Sequence, residues 1–174
     1  EAVAPMATAR VTHATAVLDG KLYAVGGLND DSYLSSVERY DPTENAWEAV
    51  APMAAAREAP AVAVLDGKLY IVGGENDEDG DLSSVERYDP ALNAWEEVAP
   101  MPTARAELAV AVLDGKLYAV GGFNDGDDDL SSVERYDPAL DVWEAVASMA
   151  AARSRHAVTV LDGKLYAVGG YNDD

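Results

Sequence analysis

The sequence predicts an all-β protein built from repeated four-stranded antiparallel units, and three observations predict it. Glycine pairs stand at Gly26-Gly27, Gly73-Gly74, Gly121-Gly122 and Gly169-Gly170, at steps of 47, 48 and 48 residues. Two longer segments keep the same beat: Asp-Gly-Lys-Leu-Tyr begins at Asp19, Asp66, Asp114 and Asp162, and Ser-Ser-Val-Glu-Arg-Tyr-Asp-Pro begins at Ser35, Ser83 and Ser131. Glycine or proline interrupts every window of about 15 residues as far as Pro138, which argues against the helical alternative across the first three units. A fixed period of this length marks one supersecondary unit stacked on its copies.

The second unit shows each element in order. Residues 60–65 (Pro-Ala-Val-Ala-Val-Leu) are apolar and rich in valine, as a strand covered on both faces requires. Asp66-Gly67 is a two-residue hairpin turn, because type I′ geometry needs positive φ at both positions. Residues 68–72 form the second strand and end on Gly73-Gly74, where the missing side chains permit positive φ or close backbone approach. Residues 84–88 alternate as a half-exposed third strand that Asp89-Pro90 breaks, and residues 95–99 supply the fourth before Pro100.

A unit of four strands and 48 residues matches the blade of a β-propeller, which buries its faces only against neighbouring blades. The Gly-Gly doublet, the following Tyr and Trp, and then Met-x-x-x-Arg resemble the kelch repeat, and the resemblance covers the whole chain. It implies a kelch-type β-propeller in one region, residues 1–174, with units of about 1–47, 48–95, 96–143 and a partial 144–174. Trp47, Trp95 and Trp143 recur once per unit, so they are expected to pack between blades rather than stack on a ligand. The chain opens on residues 1–5 as a fourth strand without its Trp and stops after the second strand of a fourth unit, about three and a half repeats. Three arrangements stay open: part of a longer kelch chain, a head-to-tail homo-oligomeric ring, and a single four-bladed ring.

Composition narrows the function. With 32 Asp and Glu against 12 Lys and Arg, a formal charge of −20 repels nucleic acid and anionic lipid, so no nucleic-acid partner is expected. No run approaches the ~20 apolar residues of a membrane helix, so no membrane insertion is expected either. The absence of cysteine excludes disulfides, thiolate metal sites and a Cys nucleophile. It leaves the compartment open, with a lean to the cytoplasm.

Candidate binding residues lie in two loops that share one face of an up-and-down blade. Arg10, Arg57, Arg105 and Arg153 occupy one position ahead of each first strand, and the next three positions vary between units. The loop after each glycine pair begins at Leu28, Glu75, Phe123 or Tyr171 and then turns acidic: Asp30-Asp31 in unit one, Asp173-Asp174 in unit four. In kelch adaptors of ubiquitin ligases, the similar positions contact peptides. The resemblance therefore points to Arg10, Arg57, Arg105, Arg153, Ser154, Phe123 and Tyr171 as a peptide-binding set. A ring of arginines around one channel mouth would favour a peptide with a short acidic core and a basic flank. The competing reading has each arginine holding its loop or pairing with the acidic loop beside it.

Catalytic and metal chemistry have less to stand on. Kelch-type copper-radical oxidases need a cysteine cross-linked to tyrosine, which this chain lacks. His13 and His156 share a repeat position and could meet only across a closed seam. No phosphate loop or catalytic triad order is present, and no cofactor is expected. Glu75, Asp77, Asp79 and Glu86 imitate the spacing of an EF-hand calcium loop, against the plainer reading of a solvated acidic loop. The sequence thus reads as a non-catalytic module binding a protein or peptide partner. The alternatives are a structural subunit of a larger complex held by open blade ends, and an enzyme acting in the channel.

Overall fold

In the computed structural model, residues 2–30, 32–126 and 128–172 are described. Within them every regular element is a strand. The first unit is β1 (Ala14–Leu18), β2 (Lys21–Val25), β3 (Val37–Asp41) and β4 (Ala46–Val50), hydrogen-bonded in that order. The second is β5 (Ala61–Leu65), β6 (Lys68–Val72), β9 (Val85–Asp89) and β10 (Ala94–Val98), with a small hairpin, β7 (Glu75–Asn76) and β8 (Gly80–Asp81), in its acidic loop. The third repeats this with β11 (Ala109–Leu113), β12 (Lys116–Val120), the hairpin β13 (Phe123–Asn124) and β14 (Asp128–Asp129), then β15 (Val133–Asp137) and β16 (Val142–Val146). The fourth is the pair β17 (Ala157–Leu161) and β18 (Lys164–Val168). All pairings are antiparallel, so each complete unit is the four-stranded blade of a kelch-type propeller.

Local chemistry explains the strand ends. Asp66 and Gly67 take φ of 50° and 72°, which closes the tight hairpin between β5 and β6. Pro60 has no N–H to give the ladder, and the strand begins one residue later at Ala61. Ser84 falls just outside β9, and its carbonyl and hydroxyl oxygens both accept bonds from Arg57. The hairpins β7–β8 and β13–β14 fall in segments read from sequence only as acidic loops; Asn76 starts the first, accepting the N–H groups of Glu78 and Asp79. Residues 2–5 form no strand, in contrast to the expected fourth strand. They lie along the first blade, where Trp47 Nε1 donates to Ala4 O at 2.9 Å and Ala4 N donates to Asn45 Oδ1.

The core sits between blades. Ala14, Leu18, Tyr23 and Val25 of the first blade face Leu69, Ile71 and Tyr88 of the second, all buried. Leu65, Tyr70, Val72 and Val85 on the opposite face of the second blade meet Leu117, Ala119 and Tyr136 of the third. Across each interface a tyrosine pair makes inclined contact, Tyr23 with Tyr88 at 5.9 Å and Tyr70 with Tyr136 at 6.0 Å between ring centres. Trp95 and Trp143 pack against these same cores, and each indole N–H donates to a backbone carbonyl. Trp95 and Trp143 thus pack between blades, as their recurrence implied.

The first strands lie innermost, each beside the next, and a chain of backbone bonds links them. Ala59 N donates to Thr12 O, Glu107 N to Ala59 O, and Arg155 N to Glu107 O, at 2.9–3.0 Å. All four residues take the left-handed conformation, with φ between 46° and 54°.

Candidate functional site

The four repeated arginines were the leading candidates, and all four turn inward, three of them onto a buried glutamate. Arg57 is fully buried. Its Nη1 donates to Gly73 O at 2.8 Å and Ser84 O at 3.2 Å, and its Nη2 donates to Ser84 Oγ and to Glu86 Oε1 at 2.7 Å. Arg10 repeats this with Gly26, Ser36 and Glu38, and Arg105 with Gly121, Ser132 and Glu134. The glutamates are buried too, and Glu86 also accepts the N–H groups of Ala54 and Ala55. Burial works against the charge on Glu38, yet bonds from Arg10, Ala7 and Thr8 hold its carboxyl below the usual range. Arg10, Arg57 and Arg105 therefore spend their donors inside the blade and form no ring of charge at a channel mouth. The expectation of an acid-cored peptide rested on such a ring. Arg153 turns the same way and donates to Gly169 O at 2.6 Å.

These arginines also couple blades. Gly27 N donates to Arg57 O at 2.8 Å, and Arg57 N donates to Leu34 O, both in the first unit, while the guanidinium reaches into the second. The glycine pair makes this approach feasible: Gly26 has φ of 64°, and a Cβ there would lie 2.7 Å from Arg57 O.

The loop face lies just outside this layer. Short backbone bridges join the two loops of each unit: Val11 to Leu28, Glu58 to Glu75, Ala106 to Phe123 and Ser154 to Tyr171. They confirm that the loop ahead of the first strand and the loop after the glycine pair share one face. Between the third and fourth units they leave an open groove of about 270 Å³, lined by Phe123, Ser154 and Tyr171 together with Glu75, Glu107 and Arg155. Three of the sequence candidates, Phe123, Ser154 and Tyr171, thus meet at one site. Tyr171 is largely exposed and Ser154 is buried at its base.

The groove is acidic. Burial, with Glu58 and Asp81 close by, pushes the Glu75 carboxyl up to about 7. Burial likewise raises Asp81. Arg155 crosses between units to Glu107 in a bidentate pair, Nε to Oε2 at 2.7 Å and Nη2 to Oε1 at 2.6 Å. The sequence showed Arg155 and Glu107 only as variable loop positions; nothing local marks two residues 48 apart as a pair.

The calcium pattern does not assemble. Glu86 is locked to Arg57 inside the blade, while Glu75 lies in β7 on the loop face. Glu75, Asp77, Asp79 and Glu86 therefore do not converge as an EF-hand does, since the twelfth ligand position sits in a strand and not after a loop. Among the described residues no group of three or more His, Asp or Glu is placed to hold a metal ion. Asp31, Asp127, Asp173 and Asp174 of the acidic loops lie outside the described residues. His13 and His156 both line one wide central opening with Pro60 and Leu108. Burial lowers the pKa of each imidazole, and the arginine at the head of its own loop lowers it further.

Known proteins place this architecture. The family model described as the KLHDC2/KLHL20/DRC7 Kelch-repeats domain matches residues 4–170. Kelch-like protein 33 of Homo sapiens is 49% identical over 47 residues, 27% of this chain and 9% of that protein. Kelch-like protein 26 of Danio rerio is 49% identical over 45 residues, 26% of this chain and 7% of that protein. The matched segment is thus about one repeat, a small part of each relative's length. Among solved structures, that of YjhT superposes with a TM-score of 0.81 at 19% identity, over 94% of this chain and 58% of that one. At that identity the likeness concerns the fold alone. With the family model spanning nearly all of the described residues and every complete blade built to one plan, the chain belongs to the kelch-repeat family.

Proposed function

We propose that the chain is a non-catalytic binding module, residues 1–174 acting as one region, and that it takes a basic protein segment in the loop-face groove. The observation that supports this most is the meeting of Phe123 and Tyr171 over an acidic floor that includes Glu75. Aromatic side chains give a segment apolar area at small entropic cost, and desolvated carboxylates reward an incoming cation by regaining their charge. An ammonium or guanidinium entering beside Glu75 relieves the repulsion from Glu58 and Asp81. The strongly negative chain as a whole steers cationic partners toward it. The rigid blades carry loops that differ between units, which suits selection of one partner.

The test is a fluorescence titration with two labelled peptides, one alternating Lys with Leu and one alternating Glu with Leu. The basic peptide binds and the acidic one does not. Phe123→Ala and Tyr171→Ala each weaken binding at least about fivefold with the melting temperature unchanged. Equal binding of both peptides, or unaltered binding by both variants, overturns the reading.

A further inference from the structure

Of the bridges that join the two loops on the binding face, one differs in kind from the rest. Val11 faces Leu28, Ala106 faces Phe123 and Ser154 faces Tyr171, whereas Glu58 faces Glu75. The second unit thus sets two carboxyls side by side where the same scaffold elsewhere carries apolar, aromatic or hydroxyl side chains. Complete blades flank this unit on both sides. Mutual bonds fix the two backbones, Glu58 N to Glu75 O and Glu75 N to Glu58 O, both at 3.0 Å. The side chains are bonded to each other as well, and a bond between two carboxyl groups needs a proton between them.

The surroundings favour keeping that proton. Glu58 Oε2 accepts the Thr12 hydroxyl at 2.9 Å, which fixes its carboxyl from the first unit. Asp81 of β8 and Glu107 of the third unit place further negative charge beside Glu75, and Asp129 lines the same groove. Tyr33 approaches from the first unit; burial, then Asp77, Glu58 and Glu75, raise its phenol, which therefore stays neutral. Among the described residues of the groove the cation is Arg155, and both carboxylate oxygens of Glu107 occupy it. Arg57, the residue before Glu58, is turned into the blade onto Glu86. Two carboxylates in contact, with more beside them, do not both ionise cheaply.

We propose that the Glu58–Glu75 pair makes the groove proton-linked: one proton lies between the two carboxyls in the free protein, and the cation of a basic segment displaces it to solvent. The inference rests on the reading of the groove as a site for such a segment. An entering ammonium or guanidinium supplies N–H donors in place of the shared O–H, so both carboxyls are ionised in the complex. Glu75 then returns from about 7 toward the ordinary carboxylate range. Binding that releases a proton strengthens as the pH rises. The groove holds its partner in neutral to mildly alkaline surroundings and lets it go on acidification.

The experiment titrates a peptide alternating Lys with Leu, blocked at both ends, into the 174-residue chain at pH 6 and pH 8. Calorimetry at pH 7, in phosphate and in Tris, counts the protons released. The dissociation constant falls about tenfold between the two pH values, as displacement of one proton held at about 7 requires. The two buffers report release of about half a proton, the share bound at that pH. Glu75→Gln and Glu58→Gln each reduce the pH effect to less than about twofold, because a side-chain amide keeps the hydrogen bond without the titratable proton. Melting curves at pH 6 verify that both variants are folded. A pH effect that survives both substitutions belongs to His13 and His156 at the central opening and overturns the proposal. Binding with no pH effect and no proton release overturns it as well and leaves the reading of the groove standing. Absence of binding at both pH values overturns that reading and this inference together.

Discussion

Arg57 and Glu86 meet at 2.7 Å with neither side chain reaching solvent, although 29 residues separate them in sequence. Two charges taken from water are tolerated because each is held by further bonds: both Nη atoms of the arginine by two carbonyls and a hydroxyl, the glutamate by two backbone N–H groups. Removing one partner leaves the other charged and buried. Arg57→Ala is therefore expected to cost about 3–5 kcal/mol of stability. Arg153→Ala, which strands no carboxylate among the described residues, is expected to cost far less. Urea denaturation of the two variants, read by tryptophan fluorescence, makes the comparison.

Glu75 sets a pH dependence. Burial and the neighbouring Glu58 and Asp81 oppose its charge and push its carboxyl up to about 7 in the folded protein, from an ordinary value of 4.5. A raised pKa gives stability that is complete below the unfolded value and lost as the pH rises through the folded one. Glu75→Gln is thus expected to raise the melting temperature at pH 8 and to leave it nearly unchanged at pH 4. A melting series across that range gives the sign.

Glycine positions separate two costs. Gly67 has φ of 72° and open space where a Cβ would go, so Gly67→Ala is expected to cost about 1 kcal/mol for the backbone alone. Gly74 has φ of 94°, and a Cβ there would sit 2.6 Å from Glu58 O. Gly74→Ala forces the inter-loop bridge apart as well and is expected to lower the denaturation midpoint well beyond Gly67→Ala. Parallel denaturation curves settle the order.

Calcium addresses the acidic loop. With Glu86 held by Arg57, calcium and magnesium at equal ionic strength are expected to shift the melting temperature alike, through screening only. A saturable calcium-specific rise that Asp79→Ala abolishes would contradict this.

The blades were legible because their signals are local. Asp66-Gly67 dictates a turn, valine runs dictate buried strands, and repetition says that a unit needs neighbours. The groove was half legible. Phe123, Ser154 and Tyr171 follow from positions counted off the glycine pairs, but the fate of the arginines does not. Loop residues preceding a strand look exposed in sequence; Arg57 is buried because its guanidinium folds back onto the carbonyl of Gly73, sixteen residues on. The Glu in Val-Glu-Arg-Tyr alternates like an outward-facing residue, yet its face is covered by the segment at Ala54 and Ala55. Pairing across units, as between Glu107 and Arg155, depends on a rotation from blade to blade that no single repeat encodes.

The backbone chain from Thr12 through Ala59 and Glu107 to Arg155 runs in one sense, each unit donating to the one before it. Unfolding any unit withdraws a carbonyl from its successor and, through arginines such as Arg57, a backbone anchor from a buried charge. Nearest-neighbour coupling of that kind makes a linear array melt as a single cooperative block. The blades thereby share one fate: an injury at Gly74 is felt at Tyr23 as well as at Tyr136, and the loop face keeps its shape until the whole array gives way.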